Sequence, residues 1–211
     1  MRAKPAYFAQ TLVALAAVCT LAACGGAKPA VAPATSTPPD PSRPPADVHW
    51  ETYEGVRLPI GGRDGPSDLG TTATGYSHSP QGAALAAINH STRLSVAPDG
   101  EWPQLAAESL IPGPSKDAWV LARAQVSITA PIDQKVAPRI AGYKVTSYRP
   151  DRTDLTVYST YSDNSITASA ETVMWASDDW RLLLPDPAAK TRTVQSVPAI
   201  PPDAVKFDTT K

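Results

Sequence analysis

Two side chains in this chain sit in settings where bonds could be made or broken. Cys24 follows Leu21-Ala22-Ala23 at the end of an apolar run. Small residues before a thiol let a peptidase reach the backbone, and an accessible thiol can be alkylated by a lipid donor. Ser77 lies in Gly75-Tyr76-Ser77-His78-Ser79, one residue short of a G-x-S-x-G nucleophile elbow. The second glycine is Ser79, and an elbow needs that glycine for its sharp strand-to-helix turn. The stretch is therefore expected to be a loop leading into a helix, with Tyr76 as a packing contact and Ser79 as the cap.

Histidines and carboxylates offer little more. His49, His78 and His90 match no metal-ligand spacing, and no free cysteine is expected to remain to assist them. His90 is expected to face solvent from a helix. Asn89-His90-Ser91 matches a glycosylation acceptor, read as a chance match within that helix. Glu171 is the one carboxylate expected in mid-strand; most of the other acids fall at turn positions. Its expected setting is outward, paired with Arg or Lys on a neighbouring strand. Only burial would raise it into the range of a general base. No catalytic residue, metal site or cofactor is assigned.

The segments that carry these residues differ in character. Arg2 and Lys4 precede the mostly apolar run Tyr7–Leu21. That run is shorter than the roughly 20 residues a membrane span requires, and fits a signal peptide over 1–23. The Leu-Ala-Ala-Cys box resembles that of bacterial lipoproteins. The resemblance implies removal of residues 1–23 and a diacylglycerol on Cys24, hence a lipid bilayer as first partner and an extracytoplasmic location. An ordinary secretory signal and an uncleaved anchor are the alternatives. Two acyl chains suffice for stable anchoring where one does not. Cys19 would be discarded, so the mature chain would fold without a disulfide.

Residues 24–47, rich in Pro and Ala, should form an extended tether, because they hold too little apolar surface to offset their ordering entropy. In polyproline form the tether would advance ~3.1 Å per residue. Residues 48–186 should make one domain, and 187–211 an extended or loosely docked tail. From residue 48 onward 15 Lys+Arg face 18 Asp+Glu, interspersed, a net −3. No basic stripe with interleaved aromatics is present, so a nucleic-acid partner is not expected.

Within the domain, Val48–Ile60 reads as an opening strand or arm anchored by Trp50 and Val56, and 61–75 as a loop. Ser79 as cap and Pro80 as first helical residue open an Ala-rich helix to about Ala97. Its small inner face is Ala84, Leu85, Ala87, Ile88, Ser91 and Ser95, with Asn89, His90 and Arg93 outside. Glu101–Leu110 reads as a second, short helix, ended before Pro112-Gly113-Pro114. From Ala118 the period becomes two, predicting strands over Val120–Ile128, Tyr143–Tyr148, Leu155–Tyr161, Ile166–Trp175 and Asp179–Leu184. The fold class is α+β, with a curved antiparallel sheet of about five strands packed on an N-terminal helix. Tyr148, Tyr158 and Trp175 are expected on the face opposite Val145, Val157 and Met174, where they would offer an aromatic partner surface.

Gly75-Tyr76, Ser79-Pro80-Gln81-Gly82-Ala83, Pro112-Gly113-Pro114, Gly142-Tyr143 and Trp175…Asp179-Trp180-Arg181-Leu182 resemble those of a group of uncharacterised actinobacterial exported proteins, some associated with integrated conjugative elements. Their sheet domain is similar to the nuclear transport factor two superfamily. The resemblance implies a cone of sheet around helices and a place in an envelope or conjugation assembly with a protein partner. The expected role is thus a non-enzymatic, membrane-anchored binding or scaffold domain. The alternative is a small-molecule carrier or lyase/isomerase-type enzyme using the cone cavity. An open pocket with a buried carboxylate would favour the alternative; a cone filled by its own side chains would favour the scaffold.

Overall fold

The computed structural model describes residues 38–189 and 192–208. Leu21, Ala22, Ala23, Cys24, the expected signal peptide and the tether up to residue 37 lie outside them. The chain is α+β. A hairpin, β1 (Val48–Tyr53) and β2 (Val56–Gly61), is followed by a two-residue ladder of β3 (Asp68–Leu69) and β4 (Ala73–Thr74). Three helices follow: α1 (Pro80–Val96), α2 (Trp102–Ser109) and α3 (Pro114–Arg123). The main sheet comes last, from β5 (Arg139–Arg149), β6 (Arg152–Thr160), β7 (Ile166–Ala176), β8 (Asp179–Leu182), β9 (Val194–Ser196) and β10 (Val205–Lys206). Its order is β10-β5-β6-β7-β8, with β9 also on β7, and every pairing is antiparallel.

Ser79 caps α1 as expected, its hydroxyl accepting from the Gly82 amide at 3.0 Å, and Pro80 occupies the first turn. The expected two-sided character of α1 does not hold. Asn89, His90 and Arg93 are buried along with Ala83 to Ile88. The helix is packed against β2 and β4 as well as β5 to β8, so it has no broad solvent face. Its polar side chains bond backbone carbonyls of the surrounding chain instead. Asn89 Nδ2 donates to Pro59 and Leu85 at 3.1 Å, and Arg93 to Gly70 and Thr71 at 3.1 Å, with its guanidinium 4.3 Å from the Tyr53 ring centroid. Gln81 donates to the carbonyls of Asp40 and Arg43 at 2.8 Å, so the last ten residues of the expected tether are docked on the domain.

Val120–Ile128 is not a strand. Residues up to Arg123 belong to α3, started by Pro114 after Gly113, and the rest is loop. Pro at the first turn is preorganised for a helix. Trp119 meets Trp102 edge-on at 6.1 Å, and buried Arg123 donates to the Ala97 carbonyl at 2.7 Å. Leu121 and Val126 point outward at 69% and 54% exposure, so the apparent alternation was not a buried face. The sheet still reaches six strands because the tail supplies two. β9 and β10 are extended as expected but paired into the sheet, and Phe207 packs on Trp50 and Tyr143, each at 5.7 Å.

The β7–β8 turn joins the layers. Ser177 and Asp178 both have positive φ (54° and 60°), as a tight two-residue hairpin turn requires. The turn presents Asp179 and Trp180. The Asp179 carboxylate accepts the amides of Gly75 at 2.8 Å and Tyr76 at 3.1 Å. The fully buried Trp180 indole donates to the Ser77 carbonyl at 3.0 Å. Replacing Asp179 by Ala should cost about 2 kcal/mol by stranding two amides, and Asp179→Asn about half as much, because its amide oxygen still accepts. Urea unfolding at constant m-value measures both.

Candidate functional site

Alternation along β7 places Thr167, Ser169, Glu171, Val173 and Trp175 on the face toward α1. Ala168, Ala170, Thr172 and Met174 take the other face. Cross-strand partners fix this orientation: Ser169 lies opposite Val157, Glu171 opposite Leu155, and buried Val173 opposite Leu182. The inward face is the more hydroxyl-rich of the two.

The edge of β7 is split. β8 leaves it after the Leu183 amide bonds Thr172, and β9 rejoins where the Ala170 amide bonds Thr193. Between these two bonds, at Ala170 and Thr172, the edge of β7 passes from one partner strand to the other. A cleft of about 420 Å³ opens there between α1, β6 and β7, inside the ~300–1,000 Å³ range of small-molecule sites. Leu94, Ile140, Val157, Leu182 and Leu184 give it apolar walls. Ser91, Ser95, Ser159, Thr167 and Ser169 add hydroxyls, and Trp119 and Tyr161 add rings. Glu171 also borders an adjoining cleft of about 400 Å³ with Arg152, Asp154 and Asp186.

Glu171 therefore does not point outward to a strand cation. Burial pushes its carboxyl up to about 7, and a hydrogen bond from the Ser91 hydroxyl partly offsets the rise. Arg152, on the opposite face of β6, is held by Asp154 at 2.8 Å. Among the described residues, none lining the larger cleft is Lys, Arg or His. The cleft is thus a half-apolar chamber with one desolvated carboxyl and several hydroxyls. It can bind and can exchange a proton at Glu171, whose hydrogen-bonded neighbour there is the Ser91 hydroxyl.

The three expected surface aromatics do not share a face. Trp175 turns inward, meeting Trp180 at 5.3 Å and stacking on His78 at 3.9 Å with planes 9° apart. Tyr148 joins them, 6.4 Å from Trp180, because a bulge between Val145 and Ser147 in β5 reverses the alternation. Tyr158 keeps the outer face but is buried at 6% exposure. It sits between Gly142, which pairs with Lys206 of β10, and Ala168, which pairs with Gln195 of β9. The chain from β9 to β10 must cross β6 at that level.

Ser77 forms no catalytic set. Its hydroxyl bonds Ser79 at 2.7 Å and Asp64 at 3.2 Å, which fixes the loop before α1. His49 is exposed on β1, and His78 bonds the Pro150 carbonyl. His90 is buried, its Nε2 donating to the Trp180 carbonyl at 2.9 Å while Tyr76 packs edge-on at 5.4 Å. Burial lowers it to about 4, so it is neutral at physiological pH. Among the described residues no group of His, Cys, Asp and Glu is placed to hold a metal ion, and no helix is long and apolar enough to cross a membrane.

The sequence reasoning missed Ser91, Ser159 and Ser169 as a set. Their signal was available: Ser91 lies on the predicted inner helix face, and Ser169 shares the parity of Glu171. The family described as "Domain of unknown function (DUF8175)" matches residues 17–200. No curated protein and no solved structure matches the chain.

Glu171 and His90 should oppose one another in the pH dependence of stability. Glu171 is raised in the folded state, so folding takes up a proton and stability falls as pH climbs from about 4.5 to about 7. His90 is lowered, so stability falls as pH drops from about 6.5 toward about 4. Glu171→Gln should remove the first slope, stabilising the protein by ~1–3 kcal/mol at pH 8 and leaving a profile that rises from pH 4.5 to 6.5. Thermal melts across that range test it; a variant profile parallel to wild type would contradict it.

Proposed function

We propose that this chain, which belongs to the DUF8175 family, is a membrane-anchored extracytoplasmic lipoprotein whose domain binds a small molecule in the Glu171 cleft. The observation that carries this reading is the chamber itself. It has apolar walls, convergent hydroxyls and one desolvated carboxyl, open along the split edge of β7. A folding core gains nothing from a carboxyl and hydroxyls facing a void, whereas a ligand site needs a few polar groups on an apolar surface.

Binding is favoured over turnover because, among the described residues lining this cleft, Glu171 is accompanied by hydroxyls and apolar groups but by no histidine or second carboxylate. The aromatic face expected for a scaffold is not formed as expected, since Tyr148 and Trp175 turn to the inner side, half-buried, and Tyr158 is covered. A cone like that of the nuclear transport factor two superfamily is part of this proposal, and the two bulges in β5 of an antiparallel sheet packed on α1 support it. Anchoring rests on the Leu21-Ala22-Ala23-Cys24 box. An envelope or conjugation assembly remains the proposed setting, with Cys24 in the bilayer and the cleft held outside the membrane.

Two measurements test this. Intact mass of the membrane-fraction protein should show loss of residues 1–23 and a diacylglyceryl adduct, and Cys24→Ser should release the chain from membranes; an unmodified, membrane-bound Cys24→Ser chain would contradict anchoring. A thermal-shift screen of polar and amphipathic metabolites should find compounds that raise Tm by roughly 5–10 °C at a hundredfold excess over Kd. Ser169→Trp, checked for native near-ultraviolet circular dichroism, should abolish those shifts. Hits unaffected by Ser169→Trp would place binding elsewhere.

A further inference from the structure

Resting on the binding reading above, we infer that the ligand of the cleft is a cation: a small ammonium compound with an apolar body, its nitrogen seated against Glu171 and Ser91. Three observations carry this. The carboxyl is desolvated, and among the described residues none lining its own cleft is cationic. A buried carboxylate is stable only when paired and hydrogen-bonded, so the missing counter-charge is the one a ligand can best supply. The remaining polar groups there, Ser91 and Ser169 among them, are hydroxyls whose oxygens accept from an N–H as readily as they donate. Leu94, Ile140, Val157 and Leu182 then cover the apolar body. Trp119 lies at the wall, where an indole face attracts an ammonium group. An anionic ligand would face an acid with no basic residue among the described ones lining the cleft.

The charged groups around Glu171 support the same sign. From α1 it meets the Ser91 hydroxyl, and across β6 it meets Leu155. In the adjoining cleft Arg152 is already bound by Asp154, and Asp186 brings a further negative group. Tyr161 closes the far end of the main cleft. A cation selects the ionised form of Glu171, so its binding strengthens as pH rises through about 7 and then levels off. With that midpoint the ionised fraction rises about tenfold between pH 6 and pH 8, and the apparent affinity with it.

The test is calorimetric titration of the detergent-purified full chain with three probes of nearly equal shape: phenethylamine, phenethyl alcohol and hydrocinnamate. Phenethylamine should bind at least tenfold more tightly than the alcohol at pH 8, and about tenfold more tightly at pH 8 than at pH 6. Glu171→Gln should erase both differences, and Ser169→Trp should abolish binding of the amine. The alcohol or the carboxylate binding as well as the amine, with Ser169→Trp still blocking it, would overturn the cation assignment while leaving the cleft a binding site. No probe responding to Ser169→Trp would overturn the cation assignment, and failure of the metabolite screen besides would remove the binding reading with it.

Discussion

The fold depends on one two-residue clasp, Asp179-Trp180, at the tip of the β7–β8 hairpin. Asp179 accepts two amides of the loop before α1, and the Trp180 indole donates to a third backbone group in that loop. The Trp180 carbonyl in turn accepts from His90 in the middle of α1. Sheet, loop and helix are thus tied at a residue with no solvent exposure, where each polar group has a high cost if left unpaired. His78, Trp175 and Tyr148 then pack around the indole, so the aromatic cluster is the consequence of the clasp. The described residues contain no cysteine, so no disulfide supplements it.

A helix buried on nearly all sides needs a way to position the chain around it, and α1 does so with polar side chains aimed at backbone carbonyls. Gln81 holds residues 40–43, Asn89 holds β2, and Arg93 holds the turn at Gly70 and Thr71. These bonds are directional where alanine packing is not, so they set where each covering segment lies on an otherwise smooth helix. The same residues explain a limit of sequence reading. Cap, proline and alanine content made α1 legible, but Asn89, His90 and Arg93 carry the ordinary signature of a solvent face. Only the later strands and the preceding hairpin, which are far away in sequence, remove the solvent. In the same way, Val120–Val126 alternates by composition, while Pro114 and the contacts of Trp119 and Arg123 decide that the segment is a helix.

Four of the strands were legible because hairpins impose their period of two locally. What was not legible is which face each strand turns inward. The second bulge in β5 turns Tyr148 from the outer face to the inner one, and nothing in the residues Val145-Thr146-Ser147 announces an extra residue there. In β7 the rule that the apolar face is the inner one fails outright. Ala168 and Ala170 face away from the helix, while Ser169 and Glu171 face it. Glu171 is conspicuous as a mid-strand acid, yet its setting follows from parity with Val173 and from the change of edge partner between Thr172 and Ala170, both tertiary facts.

That inversion bears on function. Glu171 is half-buried with the Ser91 hydroxyl bonded to it, and because its carboxyl is raised on folding, ionising it opposes the folded state. The local geometry points the same way: the β7 edge changes partner between Thr172 and Ala170, and the cleft lies beside Glu171 at that level. Elsewhere the core is closed tightly, with Val56, Leu85, Ile88, Leu105 and Trp180 wholly or almost wholly out of solvent. Under the binding proposal, a desolvated acid on a half-apolar cleft is the arrangement a ligand site requires, and that acid fixes the charge that would suit it.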